Sequence, residues 1–149
     1  MSFTVDSNVL VYAVDSGADH KHDRAIEILI AGRDSGLLLT AQAIAEFLNV
    51  IRRKYPRFLD QAREEAARWA LIYPVLPTSI SLVLAAERLA AAHRLQLWDS
   101  LIWQIARAGG ASFLISEDMH DGLSVEGMTV INPFNPDNDA PLNALLSNQ

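Results

Sequence analysis

The chain has 149 residues, half of them hydrophobic and a fifth charged, which is enough for one globular domain with a substantial core. It contains no cysteine, and this excludes a disulfide framework and a thiolate metal site. Its net charge of −6 argues against a protein that coats nucleic acid through many phosphate contacts. Neither a signal peptide nor a membrane span is predicted, so we expect a cytoplasmic protein without a membrane partner.

Strands and helices alternate along the chain. The predicted strands are 3–5, 37–40, 75–76, 113–115 and 128–131; residues 9–14 either continue the first strand or begin a helix. The predicted helices are 21–31 with Asp19 as its cap, one from the second strand to before Pro56, 59–72, 79–93 capped by Ser79, and one after Trp98. In this last helix the spacing of Trp98, Leu101, Ile102 and Ile105 predicts a buried face.

This alternation predicts an α/β fold. Right-handed crossovers between strands imply a central, mainly parallel sheet of four or five strands, wrapped by helices. We interpret residues 1–149 as a single domain. Its end, about 133–149, is rich in Asn, Pro and Asp and is expected to be an irregular tail.

Four acidic residues lie inside or beside apolar stretches, where a lone carboxylate costs several kcal/mol unless it is paired, protonated or bound to metal. They are Asp6, Glu46, Asp99 and Asp118. Asp6 and Asp118 follow strands, and open α/β sheets bind ligands outside the carboxyl ends of their strands. Glu46 and Asp99 lie near the starts of helices. A shared divalent cation would account for all four acids.

The ligand type points to a hard cation. Carboxylate oxygens suit Mg²⁺ or Mn²⁺, whereas the absence of cysteine and of paired histidines disfavours zinc. Each acid also has a structural explanation: Asp99 could be a helix cap, and Asp118 a turn residue. The four histidines are interpreted as surface residues and not as general bases: His20, His22, His93 and His120.

These residues carry a resemblance to a known family. The segments 5–12, 98–102 and 114–118, together with a glutamate in the helix after the second strand, resemble the four acidic motifs of PIN-domain nucleases. More narrowly, the chain resembles the VapC toxins of type II toxin–antitoxin pairs, including the Asn132-Pro133-Phe134 ending after the last strand. The resemblance covers essentially the whole chain, and it implies a PIN-like α/β/α sandwich.

The resemblance implies a Mg²⁺- or Mn²⁺-dependent endoribonuclease. Asp6, Glu46, Asp99 and Asp118 would hold one or two ions, which activate a water for attack on an RNA phosphodiester. Ser7 and Asn8 would support Asp6 or the scissile phosphate, and Asp121 could add a water-mediated contact to a second ion. The expected partners are RNA, an antitoxin protein and a second copy of the chain.

Family spacing selects Asp118 over its acidic neighbours as the fourth ligand. It lies two residues after the serine that ends the strand, whereas Glu117 is expected to point away from the site toward solvent. Asp121-Gly122 resembles a turn pair.

Four basic residues cluster near the end of the helix that carries Glu46: Arg52, Arg53, Lys54 and Arg57. They form either a solvated helix end favoured by the helix dipole or a contact to the RNA backbone beside the metal site.

Other functions remain open. A haloacid-dehalogenase-like phosphatase needs a second aspartate two positions after the first, but Asn8 occupies that position. A receiver domain needs a lysine after a late strand, but the only lysines are Lys21 and Lys54. A PIN-like module that binds RNA or protein without cutting it, and a housekeeping nuclease without an antitoxin, are the remaining alternatives.

Overall fold

A central sheet organises the protein. The computed structural model describes residues 1–147. The strands are β1 (Ser2–Val5), β2 (Leu37–Thr40), β3 (Val75–Leu76), β4 (Ala111–Ile115), β5 (Ser124–Val125) and β6 (Met128–Ile131). The helices are α1 (Ser7–Val14), α2 (His20–Ser35), α3 (Ala41–Lys54), α4 (Leu59–Ile72), α5 (Ile80–His93), α6 (Leu97–Ala108) and α7 (Asp139–Leu146).

The strand order is β3-β2-β1-β4-β6-β5, and every pair is parallel except the short β5–β6 hairpin. The α/β class and the mainly parallel sheet are therefore confirmed, although the sheet has six strands and not four or five. The sixth, β5, is a two-residue edge strand that leaves almost no sequence pattern. In β1, Phe3, Thr4 and Val5 are all buried, so helices cover both faces of the sheet.

The chain order places the site. From β1 the chain moves outward to β2 and β3, and then returns to the other side of β1 as β4. The reversal between β1 and β4 is the switch point at which such sheets form a crevice. Because α6 leads directly into β4 at the amino edge of the sheet, its first turn lies at the opposite, carboxyl edge. The first turn of α6 therefore meets the ends of β1 and β4.

Local rules explain most element boundaries. Thr40 begins α3 by accepting a hydrogen bond from the Ala43 N–H, and Ser79 caps α5 in the same way, as expected. Asp19 precedes α2, but its side chain makes no capping hydrogen bond, so that expectation was wrong. Residues 9–14, for which strand and helix were both open, belong to α1.

The C-terminal segment is not an irregular tail. Residues 136–138 form a 3₁₀ turn, and α7 follows directly. Leu142, Leu145 and Leu146 are buried at helical spacing. Arg24 of α2 donates hydrogen bonds to Asp139 and Asn143 and so fixes α7 to the domain. The polar composition of 132–141 concealed this apolar stripe; residues 148 and 149 lie outside the described part of the chain.

Within residues 1–147, no helix has the length and apolar character needed to cross a membrane.

Candidate functional site

Asp6 is the anchor of the acidic site. It follows β1 directly and is buried, and its backbone N–H bonds to the Ile115 carbonyl of β4. One carboxylate oxygen accepts the Ser7 N–H at 2.7 Å, and the other accepts the buried Ser116 hydroxyl at 2.7 Å. Burial raises the pKa of Asp6, and the negative charge of Asp118 adds to this, although the hydrogen bonds from Ser116 and Ser7 oppose it.

Asn8 connects the ends of β1 and β4. Its side-chain nitrogen lies 3.3 Å from the Asp6 carboxylate, 3.2 Å from the Asp118 carboxylate and 3.3 Å from the Ser116 hydroxyl. Its side-chain oxygen accepts the Glu117 N–H at 3.3 Å. Asn8 therefore holds two of the acids on one amide group.

Ser116 is a site residue whose role was missed in the sequence. Its hydroxyl donates to Asp6 and accepts the N–H groups of Asp118 and Met119, at 3.2 and 3.3 Å. A hydroxyl residue two positions before an acid at a strand end was the available signal, because serine folds such turns through its side chain. Ser116 thus fixes the turn that carries Asp118.

Glu46 lies on α3, and one of its carboxylate oxygens lacks a hydrogen-bond donor. Its Oε2 atom is buried and has no hydrogen-bond partner among the described residues. Burial raises the pKa of Glu46 to about 7, with further contributions from the charges of Asp6 and Asp99; the Gln42 side chain opposes the shift slightly. A bound cation would compensate the buried carboxylate in this position.

Asp99 lies in the first turn of α6 and is not its cap, since that position belongs to Gln96. Burial, together with the charges of Asp6 and Asp118, raises its pKa to about 6. The charges of Asp6 and Asp99 therefore act on Glu46, and the charge of Asp118 acts on Asp6 and Asp99, which brings the four acids into one cluster. The alternative interpretation of Asp99 as a helix cap was wrong.

The donor set fits a hard divalent cation, because mutually repelling carboxylates and a buried unpaired oxygen are what such an ion would compensate. Within residues 1–147, no group of three acidic or histidine side chains is already closed into the arrangement of a metal site. The mutual charge effects and the unpaired Glu46 oxygen still favour a metal site, because carboxylates can rotate and Mg²⁺ keeps several waters between itself and the protein. Bridging waters or small side-chain rotations would complete the coordination of an ion bound by this cluster.

Glu117 faces away from this cluster, but not toward solvent as expected. The Tyr12 hydroxyl and the Lys21 ammonium both donate to its carboxylate. Burial alone would raise the pKa of Glu117, but these two hydrogen bonds and the lysine charge outweigh it and lower the pKa. Lys21 also lies 5.3 Å from the ring centre of Phe134, so this ion pair connects the Asp118 turn to the C-terminal segment.

Asp121 accepts hydrogen bonds within the fold, and these argue against the water-mediated metal contact considered for it. It accepts the Asn132 N–H and the side-chain amides of Asn135 and Asn138, all at 2.9 Å. Burial acts to raise its pKa, but these hydrogen bonds dominate and lower it. Asp121 thereby anchors the segment that leads into α7.

The structure divides the basic cluster. Arg52, Arg53 and Lys54 are all exposed on the last turn of α3, but of these only Arg53 lines the groove that also contains Glu46 and Ser7. Arg57 stacks over Phe58 and lines a separate cavity of about 530 Å³ that contains none of the four acids. Only Arg53 therefore adjoins the acidic site.

The histidines take no part in the acidic site. His20, His93 and His120 are exposed, as expected. His22 is half-buried, which was not expected, and its Nδ1 bonds to the Tyr12 carbonyl at 2.8 Å.

Comparisons with known proteins give the family and agree with the fold. The family model described as PIN domain matches residues 3–120. No curated protein sequence matches the chain significantly. A toxin of Mycobacterium tuberculosis, VapC20, described as cleaving the sarcin–ricin loop, is similar in structure with a TM-score of 0.65 at 17% identity; the match covers 78% of this chain and 90% of that one.

Two further solved structures are similar over 89% of this chain and 98% of their own. One is a toxin–antitoxin complex from Klebsiella pneumoniae, with 17% identity and a TM-score of 0.65. The other is VapBC2 from Rickettsia felis bound to a DNA fragment from their promoter, with 14% identity and a TM-score of 0.63. At these identities the three structures support the fold.

Proposed function

We propose, because this chain belongs to the PIN domain family, that it is a metal-dependent endoribonuclease and the toxin of a type II toxin–antitoxin pair. The observation that carries the proposal is the convergence of Asp6, Glu46, Asp99 and Asp118. Burial and the charges of neighbouring acids raise the pKa of the first three, and none of the four takes part in an ion pair among the described residues. That arrangement is unfavourable for stability alone and suits the binding of a divalent ion.

The four acids would hold one or two Mg²⁺ or Mn²⁺ ions. Such an ion supplies a nucleophile at neutral pH by lowering the pKa of water, and it offsets negative charge on a phosphodiester. The Ser7 N–H and the Ser116 hydroxyl each donate to one Asp6 oxygen and so keep the carboxylate in one orientation. Asn8 sets the separation of Asp6 and Asp118. These residues prepare the acids before RNA arrives, which is where positioned charge has its catalytic value.

The test is cleavage of total cellular RNA by the purified protein. We expect cleavage with Mg²⁺ or Mn²⁺, none in EDTA, and recovery when the ion is restored. Cleavage that persists in EDTA would exclude the metal mechanism. A protein that binds RNA and never cuts it would favour a binding module.

An antitoxin partner is the second part of the proposal. Its support is the fold shared with chains of the Klebsiella pneumoniae and Rickettsia felis toxin–antitoxin complexes. The neighbouring reading frame should encode a small protein with a DNA-binding N-terminus, and co-expression should give a stable complex that does not cut RNA. If the neighbouring product neither binds nor inhibits, a housekeeping nuclease is the better description.

A homodimer is the third part. Its support is a set of exposed apolar side chains on α4 and α5, where Leu71 is 89%, Ile80 73% and Leu84 53% exposed. Ile80 and Leu84 are four residues apart on α5 and so share one face of the helix, and contiguous exposed apolar side chains mark contact surfaces. Sedimentation should show a dimer that Leu84→Glu dissociates; an unchanged state would place the contact elsewhere.

A further inference from the structure

An open groove of about 520 Å³ begins at the acidic site and follows α3. Gln42, Glu46, Asn49 and Arg53 line it at spacings of four, three and four residues, so they form one stripe along the helix. Arg53 therefore stands two turns from Glu46. Ser7 also lines the groove, which makes it continuous with the acids around Asp6.

Trp98 completes the groove from α6. Sequence periodicity predicted a buried indole, but the side chain is 56% exposed, while Leu101, Ile102 and Ile105 of the same stripe are buried. The difference arises because the first turn of α6 projects past the sheet edge. A large exposed indole next to a catalytic cleft offers a flat apolar face without a protein partner, and nucleobases stack on such faces.

The charge at the far end of the groove suits a phosphate. Arg53 takes part in none of the ion pairs among the described residues. Its guanidinium can contact two phosphate oxygens at once. Between Arg53 and Glu46, the Asn49 side chain carries both a donor and an acceptor, which are the groups that recognise base edges.

We infer that this groove binds one nucleotide adjacent to the scissile phosphate, with its base stacked on Trp98 and its outer phosphate held by Arg53. The inference rests on the proposed function and adds a specificity determinant to it. A base can reach the indole only when it is not paired in a helix, so the groove selects an unpaired nucleotide at this position.

The test is RNA binding measured in the Asp99→Asn background, which prevents cleavage. The probes are fluorescein-labelled oligoadenylate and oligouridylate octamers, each alone and paired with its complement. Trp98→Ala should weaken binding of the single strands about ten-fold or more, whereas Trp98→Phe should retain most of it. Leu97→Ala is the matched control, because Leu97 is the neighbouring exposed apolar residue and does not line the groove.

Tryptophan fluorescence distinguishes stacking by Trp98 from a purely structural role of this residue. Trp69 and Trp103 are buried, at 5% and 0% exposure, so quenching by a single strand would report Trp98. The quenching should disappear in Trp98→Phe and be absent with duplex. Arg53→Ala should weaken binding and its salt dependence more than Lys54→Ala, the adjacent cation outside the groove.

The inference is overturned if neither octamer binds, if binding leaves the fluorescence unchanged, or if Trp98→Ala binds like Leu97→Ala. Its failure can be distinguished from failure of the proposed function. If Trp98 binds the single strands but the protein never cuts RNA, the proposed nuclease activity is wrong and the nucleotide-binding groove stands. If cleavage is metal-dependent and kcat/KM is equal in wild type and Trp98→Ala, the nuclease proposal stands and the groove is wrong.

Discussion

The protein contains two kinds of carboxylate, those of the candidate site and those with hydrogen-bond donors of their own, and the loop after β4 contributes to both. Asp118 belongs with the acids of the site, while Glu117 and Asp121, within three residues of it, each have dedicated donors. The pKa values of Glu117 and Asp121 are lowered, whereas those of Glu46 and Asp99 are raised to about 7 and about 6.

The difference lies in the partners and not in the acids. Hydrogen-bond donors and a lysine stabilise the ionised forms of Glu117 and Asp121, so these residues support the fold. Burial and like charge destabilise the ionised forms of Glu46 and Asp99, so the ionisation of these residues lowers the stability of the metal-free protein. An acidic residue near the core therefore indicates a functional site only when it lacks hydrogen-bond donors and basic partners.

The largest expected effect is that of Asp99→Asn. We expect RNA cleavage to fall at least about 100-fold, as for the loss of a transition-state stabilising group. The metal-free protein should unfold at the same or a slightly higher free energy, because a repelling charge is gone. Cleavage assays and urea denaturation check both halves, and an active Asp99→Asn protein would contradict the assignment of this acid to the site.

Next in size is the contrast between the neighbours Asp118 and Glu117. Asp118→Asn should lower the cleavage rate and the Mn²⁺ affinity far more than Glu117→Gln. The reason is that Asp118 shares the Asn8 amide with Asp6, whereas Glu117 faces Tyr12 and Lys21. Isothermal titration with Mn²⁺ and cleavage rates decide it. Equal losses for the two variants would show that Asp118 is misassigned.

Asp121→Asn should show the opposite behaviour, with lower stability and retained cleavage. Its carboxylate accepts hydrogen bonds from three asparagines, and bonds to charged groups contribute about 1.5–3 kcal/mol. We expect the free energy of unfolding to fall by about 2 kcal/mol. Asp137→Asn is the control, since that acid lies exposed in the same segment. An Asp121→Asn protein that is fully stable but inactive would indicate that Asp121 contributes to the metal site.

The two sets should also give opposite pH dependences without metal. Glu46 and Asp99 bind protons more tightly folded than unfolded, so stability falls as pH rises from about 4 to about 7. Glu117 and Asp121 bind them less tightly when folded, so their contribution is present above an ordinary carboxyl pKa and is lost as pH falls below it. The free energy of unfolding should therefore be highest at about pH 4, where the two ranges meet.

Variants show which residues cause the loss of stability at neutral pH and which cause the loss at acidic pH. Glu46→Gln should flatten the neutral limb, where partial exposure limits the effect to about 1 kcal/mol. Asp121→Asn should flatten the acidic limb. Mg²⁺ should raise stability at pH 7 in wild type and much less in Glu46→Gln. A stability that rises steadily from pH 5 to 7 in EDTA would contradict the raised pKa values.

Glu117→Gln has the smallest expected effect. The Lys21–Glu117 pair is partly exposed, and such pairs contribute about 1 kcal/mol or less. We expect a loss of that size in urea denaturation and nearly unchanged cleavage. Lys21→Met should give a similar loss. A large fall in cleavage with either variant would mean that this pair controls the position of the Asp118 turn.

Much of the fold was visible in the sequence because local patterns dictate it. The limits of α4 and the strands β2, β3 and β6 were predicted correctly, since proline breaks and apolar runs mark them. The six-stranded sheet and α7 were not predicted. Two-residue β5 is too short for a pattern, and the Asn, Pro and Asp content before α7 outweighed its three buried leucines.

The sequence by itself determined which residue types and elements form the candidate site, because an acid after a strand or at a helix start is a local feature. Only the tertiary structure decided the state of each acid. Asn8 and Ser116 are 108 positions apart and meet at the switch point between β1 and β4. The exposure of Trp98 likewise depends on where α6 meets the sheet edge. Donors, charges and burial come from residues distant in sequence, and periodicity along one element carries no information about them.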